Sequence, residues 1–297
     1  RTVHFRRFFL SDGANQAPQL EAALAALTKK RIGIAVCAVV MAVAGYNVYT
    51  IRQEYAEAGG EYDDIAGSVY LSDEAKEAVP IEEPKEKESD TQFAFEDDGP
   101  KYDIGTYPNL VIDHAALKKA QPNYKGWLYV PCLEISYPVV QGPDNDYYLH
   151  HTFEETENVA GCIFIDHECN ADLSSYNTFI YGHNMKNGSM FGSLRKLITN
   201  PKPIQDDPYI YFYTEDGVYA YRTYSFHRVP PKSGYFAYVK DHQQYSEYVD
   251  IALSDRMVDM DTSVDKQKNS IVLSTCNGSG ESKQRFVIHA INIGHYR

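Results

Sequence analysis

From residue 107 onward the chain alternates short apolar runs with clusters of Gly, Pro, Asn and Asp, the texture of strands and turns. Eight such runs stand out, at 126–130, 135–140, 161–166, 178–181, 209–213, 218–229, 271–274 and 285–293, rich in Tyr, Val, Ile and Phe. Glu215-Asp216-Gly217 between two tyrosine-rich runs reads as a hairpin. So many short strands in under 200 residues predict a mainly β domain, a barrel or a sandwich. Helices interrupt them. One is expected at 112–119 and a short one at 190–197. A longer one at 244–257 has Tyr245, Tyr248, Val249 and Leu253 at helical spacing, and it precedes the last two strands.

Upstream the pattern is different. Residues 32–51 are twenty in a row without a charge, about the number needed to cross the hydrocarbon core of a bilayer. Lys29-Lys30-Arg31 precede this run and Glu54 and Glu57 follow it, which predicts a single-pass anchor with its N-terminus in the cytoplasm and the folded domain outside the cell. A cleaved signal peptide is the rival reading, but the run is long and lacks a small-residue cleavage site. Residues 1–31 then form a cytoplasmic tail, with a short Ala/Leu-rich helix at 20–27. Residues 52–105 hold 17 acidic and 5 basic residues and read as an extended or disordered extracellular linker, too polar at 74–90 to offset ordering entropy. Residues 106–297 read as the folded domain, where any catalytic chemistry is expected. The net charge of −13 belongs mostly to the linker, and no basic face suggests nucleic acid as a partner.

The chemistry lies at strand ends. Ile271-Val272-Leu273-Ser274-Thr275-Cys276 delivers a thiol to the end of an apolar run, and a strand starting at Arg285 returns after a loop of small and polar residues. A cysteine in such a place is more often an inert buried thiol than a nucleophile. The glycines of Asn277-Gly278-Ser279-Gly280 alter that balance, because free N–H groups after a thiol can hold an oxyanion. Tyr181-Gly182-His183-Asn184 ends another strand in a histidine at a loop mouth, where catalytic groups concentrate. Arg285 is either a surface charge paired with Glu281 or an inward guanidinium suited to a developing oxyanion. Asn184 and Asp166 remain open as partners for the imidazole. His150-His151 reads as surface, and the 25 tyrosines read as strand packing. Among the five cysteines, Cys37 is a small hydrophobe in the apolar run; a Cys162–Cys169 or Cys132–Cys162 bridge and unpaired buried thiols both stay open. Cys162, His167 and Cys169 fit no usual zinc spacing and lack a fourth ligand, so no metal is implied.

Taken together, Ser274-Thr275-Cys276 with Arg285, and Tyr181-Gly182-His183-Asn184, resemble the two signatures of sortases, the cysteine transpeptidases of Gram-positive surfaces. Asn123-Tyr124-Lys125-Gly126-Trp127, Tyr137-Pro138-Val139-Val140-Gln141-Gly142, the stretch from Asp144 to Leu149, Gly161 to Asp166 and Gly188 to Phe191 follow in the order seen in class B sortases, over residues 112–297. The resemblance implies a closed eight-stranded barrel with helices outside. It implies Cys276 as nucleophile, His183 as acid and base, and Arg285 as oxyanion or substrate clamp. Asn145, Leu149, Tyr181 and Ser274 should touch the substrate, and Tyr238 and Val239 should form a further wall. The implied reaction cleaves an Asn-Pro-x-Thr-Asn-like sorting motif of a secreted protein after Thr, through a thioester, and passes the acyl group to a peptidoglycan amine. Pilin polymerisation, a secreted cysteine protease and a non-enzymatic peptide-binding module are the competing expectations. No cofactor is implied; the partners are the sorting peptide, the wall amine and membrane lipid around residues 32–51. Asn277 departs from some class B members, which carry an acidic residue there.

Overall fold

The computed structural model describes residues 17–81, 102, 104–230, 233–236, 238–276 and 284–297. The start of the tail (1–16), most of 82–103 and the expected oxyanion loop at 277–283, with Asn277 and Glu281, lie outside the described residues. Two compact units divide the chain, 1–53 and 54–297. In the first, helix α1 (Ala17–Gly67) exposes an apolar surface that includes Ile34, Val39 and Met41. This helix is long and apolar enough to cross a membrane.

In the second unit, the end of α1 carries Tyr55, Ala58, Tyr62 and Ile65 at helical spacing, and that face is packed into the core. The Tyr62 hydroxyl donates to the Gly161 carbonyl at 2.7 Å, and the Asn158 amide donates to the Glu54 carbonyl at 2.9 Å. The structure differs here from the extended linker that composition predicts from residue 52. One apolar stripe within an acidic stretch is enough to dock a helix. Beyond it, β1 (Tyr70–Leu71) and β2 (Lys76–Glu77) make short ladders with β4 (Leu110–Val111) and β3 (Thr106–Tyr107) respectively.

Helix α2 (His114–Ala120), capped by the Asp113 side chain, leads into the barrel. Its eight strands are β5 (Tyr124–Val130), β6 (Ile135–Val140), β7 (Ile163–Ile165), β8 (Asn177–Gly182), β9 (Tyr209–Tyr213), β10 (Val218–Val229), β11 (Ser270–Thr275) and β12 (Arg285–Tyr296). They close in the order β10-β12-β11-β8-β7-β6-β5-β9. Short helices α3 (Tyr147–His150) and α4 (Lys202–Asp206) follow β6 and precede β9, while α5 (His242–Ser254) packs outside, between β10 and β11 in sequence. The element expected at 190–197 is a 3-10 stretch, Gly192–Ile198, entered through Met190 at a φ of 52°. Trp127, Phe164, Phe179 and Phe212 are among the fully buried side chains, each contributing about 1.5–3 kcal/mol by the usual transfer scale. β8 and β11 are buried on both faces, and each carries three consecutive apolar residues, Phe179 to Tyr181 and Ile271 to Leu273.

Two pairings are parallel, β6 with β7 and β8 with β11, and both need long crossovers. The second gathers three strand ends in one place. Parallel strands end at the same rim, and β12, antiparallel to β11, begins there.

Candidate active site

β8 and β11 pair from Asn177 with Ser270 through Gly182 with Thr275. One further step on each strand sets His183 beside Cys276, on neighbours spaced about 4.8 Å apart. The Cys276 N–H donates to the Gly182 carbonyl at 2.8 Å and so carries the ladder onto this step. On the other side Ser274 pairs with Val287, and the Phe286 N–H donates to Thr275 Oγ1 at 2.9 Å. The same antiparallel register, continued, puts Arg285 across from Cys276. Cys276 therefore falls between His183 and Arg285 on three adjacent strands. Alternation places Ser274 with Cys276, and Tyr181 with His183, on shared faces.

Gly182 lets Ile163 and the Phe191 ring pack closely against the end of β8. A Cβ there would come within 2.4 Å of Ile163 Cδ1 and 2.8 Å of the Phe191 ring. The His183 carbonyl accepts from the Phe191 N–H at 3.0 Å, and Asn184 bridges to Met190, so the loop after β8 folds back tightly.

Burial governs the electrostatics. It pushes the Cys276 thiol up to about 12, against the lowering pull of the Arg285 charge and of the backbone bond at Gly182. Burial also holds His183 down, to about 4, and the charge of His150 adds to that. Hence His150, which reads as surface in the sequence and is exposed, nevertheless sits close enough to act on the imidazole. No local signal marks it. Among the described residues, His183 Nδ1 and Arg285 Nε are buried without hydrogen-bond partners. The Arg285 guanidinium lies 4.8 Å from the centre of the Phe236 ring and 6.0 Å from that of Tyr181. Phe236 is a contact that sequence spacing gives no means of finding.

Neither of the two open imidazole partners takes that place among the described residues. Asn184 Oδ1 is buried and unpartnered, and Asp166 is engaged elsewhere. Its carboxylate accepts from the Tyr181 hydroxyl at 2.9 Å and from the Tyr238 hydroxyl at 2.6 Å. Asn145 Oδ1 accepts from the His167 N–H at 2.9 Å. Asn145, Tyr181 and Tyr238 thus meet around one turn, and Ser274 lies in register with Tyr181. Leu149 is on α3 next to His150, and Val239 follows Tyr238; both are half-buried. All five cysteines are free thiols, so neither candidate bridge forms. Burial pushes Cys132 and Cys162 up to about 12 and Cys169 to about 11.

A thiol, an imidazole and a guanidinium are the groups that acyl transfer through a thioester calls for, and the class of enzyme this suggests is a cysteine acyltransferase. The sortase domain family matches residues 128–292, and the chain belongs to the sortase family. It is a cysteine transpeptidase of the kind that anchors surface proteins. The chain is similar to sortase B of Listeria monocytogenes, 32% identical over 176 residues that cover 53% of this chain and 70% of that one. Its barrel resembles that of Clostridium perfringens sortase B, with a TM-score of 0.56 and 29% identity over 60% of this chain and 98% of the other. A Staphylococcus aureus sortase B–substrate complex matches with a TM-score of 0.57 and 26% identity, over 61% of this chain and 84% of that one.

Proposed function

We propose that Cys276 is the nucleophile of this transpeptidase, His183 its acid and base, and Arg285 its oxyanion clamp. The substrate is a secreted protein with an Asn-Pro-x-Thr motif followed by Asn, Gly or Ser. The Cys276 thiolate attacks the Thr carbonyl carbon, and Arg285 takes the negative charge that develops on oxygen. The C–N bond breaks, the His183 imidazolium protonates the departing amine, and a thioester remains. A peptidoglycan amine then attacks the thioester, His183 accepts its proton, and the thiolate leaves. Asn145, Leu149, Tyr181, Tyr238, Val239 and Ser274 line the peptide path. Residues 32–51 hold the enzyme in the membrane, with the basic flank at 29–31 in the cytoplasm.

The observation that carries this reading is the register: one step past paired Gly182 and Thr275, Cys276 falls between His183 and Arg285 on three adjacent strands. Mass spectrometry of the enzyme mixed with a sorting peptide and an added amine tests it. The wild type should give a thioester adduct and an amide product, and Cys276→Ala neither. Transfer by Cys276→Ala would remove the nucleophile; free acid as the sole product, with amine present, would make the protein a hydrolase.

A further inference from the structure

Asp166 ends the strand run 161–166 and is only 2% exposed. Its two oxygens face two hydroxyls from distant parts of the chain, Tyr181 on β8 and Tyr238 on the connector between β10 and α5. Oδ1 also accepts from the Glu168 N–H at 3.0 Å and lies 3.5 Å from His167 Nδ1. The next peptide along, through the His167 N–H, holds the Asn145 side chain. The rings so tethered touch one another: Tyr181 stacks on Phe179 at 6.3 Å, and Phe179 meets Tyr238 edge-on at 6.4 Å. Arg285 in turn lies over Tyr181. A buried carboxylate with two hydroxyl donors is costly to leave half-satisfied, so the two walls are bound to a common point.

We propose that Asp166 is a positioning residue of the peptide cleft: it holds Tyr181 and Tyr238 by their hydroxyls while its own turn holds Asn145, fixing three walls of the cleft from one buried point. This rests on the peptide path assigned under the proposed function. Asp166 does not act on the imidazole, and its loss should leave the thiol's own reactivity alone. Burial and then the Asp166 charge push the Tyr181 hydroxyl up, and burial with the Asp166 hydrogen bond and charge does the same to Tyr238, so each stays a donor at any pH the protein meets.

The test is steady-state kinetics on a fluorogenic Asn-Pro-Gln-Thr-Asn peptide, alongside iodoacetamide labelling at Cys276. Asp166→Asn should raise KM by about tenfold, the worth of one charge-assisted bond, with a smaller change in kcat and unchanged labelling. Tyr238→Phe should raise KM in the same way with its melting temperature nearly intact. The double variant should be no worse than Asp166→Asn alone. Unchanged KM in Asp166→Asn, or effects of the two changes that simply add, would overturn the proposal. Should Asp166→Asn fail to fold, an unchanged KM in Tyr238→Phe overturns it equally. Transfer activity in Cys276→Ala is a separate failure, that of the cleft reading itself.

Discussion

Cys276 and His183 are shifted in opposite directions by one cause. Each is buried, and burial disfavours whichever form carries charge, so the thiol rises to about 12 and the imidazole falls to about 4. Both are neutral at physiological pH, and the thiolate–imidazolium pair is a minority form reached by passing one proton from sulfur to nitrogen. Between the two values that minority is constant, so kcat/KM for acylation should be flat from about pH 5 to about pH 10. A sharp limb near neutrality would show that the pair is not shifted in this way. Iodoacetamide labelling of Cys276, followed by peptide mapping, should accelerate with pH throughout that range. Arg285→Ala should slow labelling at any given pH, because the guanidinium is the charge that lowers the thiol. Arg285→Lys should label almost normally and yet acylate at least about tenfold more slowly, since it keeps the charge and loses the fork. Full acylation by Arg285→Lys would take the fork out of the mechanism.

Among the elements, β8 is the one whose end decides the site. Its last residue, Gly182, pairs with Thr275, gives its carbonyl to Cys276 and has no room for a methyl group between Ile163 and Phe191. Gly182→Ala should therefore cost about 1–3 kcal/mol in a urea melt, as overpacked cores do. Acylation should fall by more than that loss of stability explains, because the displaced residue is the neighbour of His183. A variant with wild-type stability and rate would mean that the strand end yields easily. Gly161 shows the same limitation at β7. Its φ of 57° and the nearness of the Tyr148 carbonyl, 2.6 Å from any Cβ, leave glycine as the residue that fits. The turn it makes also brings its carbonyl to the Tyr62 hydroxyl.

The whole molecule carries its histidines as an acid liability. His183, His227 and His289 are all held below the ordinary imidazole range by burial, and the rings of His227 and His289 stack at 4.9 Å between β10 and β12. Unfolding releases them to a value of about 6.5, so below that pH the unfolded chain binds protons the fold refuses. Stability should be complete above about pH 6.5 and decline as pH falls toward about 4, the value that His183 and His227 reach in the fold. Thermal melts across that range check this, and His289→Asn should flatten the decline. A second expectation concerns the end of α1. A chain beginning at residue 68 should be less stable than one beginning at residue 54 by at least about 2 kcal/mol, because it loses the buried Ala58 and Tyr62. Equal melting temperatures would make the docking of 54–67 incidental.

How much of this was legible in the sequence depends on the range of each interaction. Strand runs, the hairpin at 215–217, the long helix before the last strands and the apolar run at 32–51 are set by neighbours a few residues apart, so period and turn chemistry revealed them. Cys276, His183 and Arg285 stood out for the same reason: each marks a strand end, and the signature residues lie beside it in the chain. What the local pattern could not decide was which strands meet. Parallel pairing of β8 with β11 joins residues almost a hundred positions apart, and the barrel's closure brings His150 toward His183 and Tyr238 onto Asp166. Burial, and with it the protonation of the thiol and imidazole, is a property of that closure. The docking of 54–67 is another, since its apolar stripe was too sparse to stand out from the acidic composition until there was a surface for it to cover.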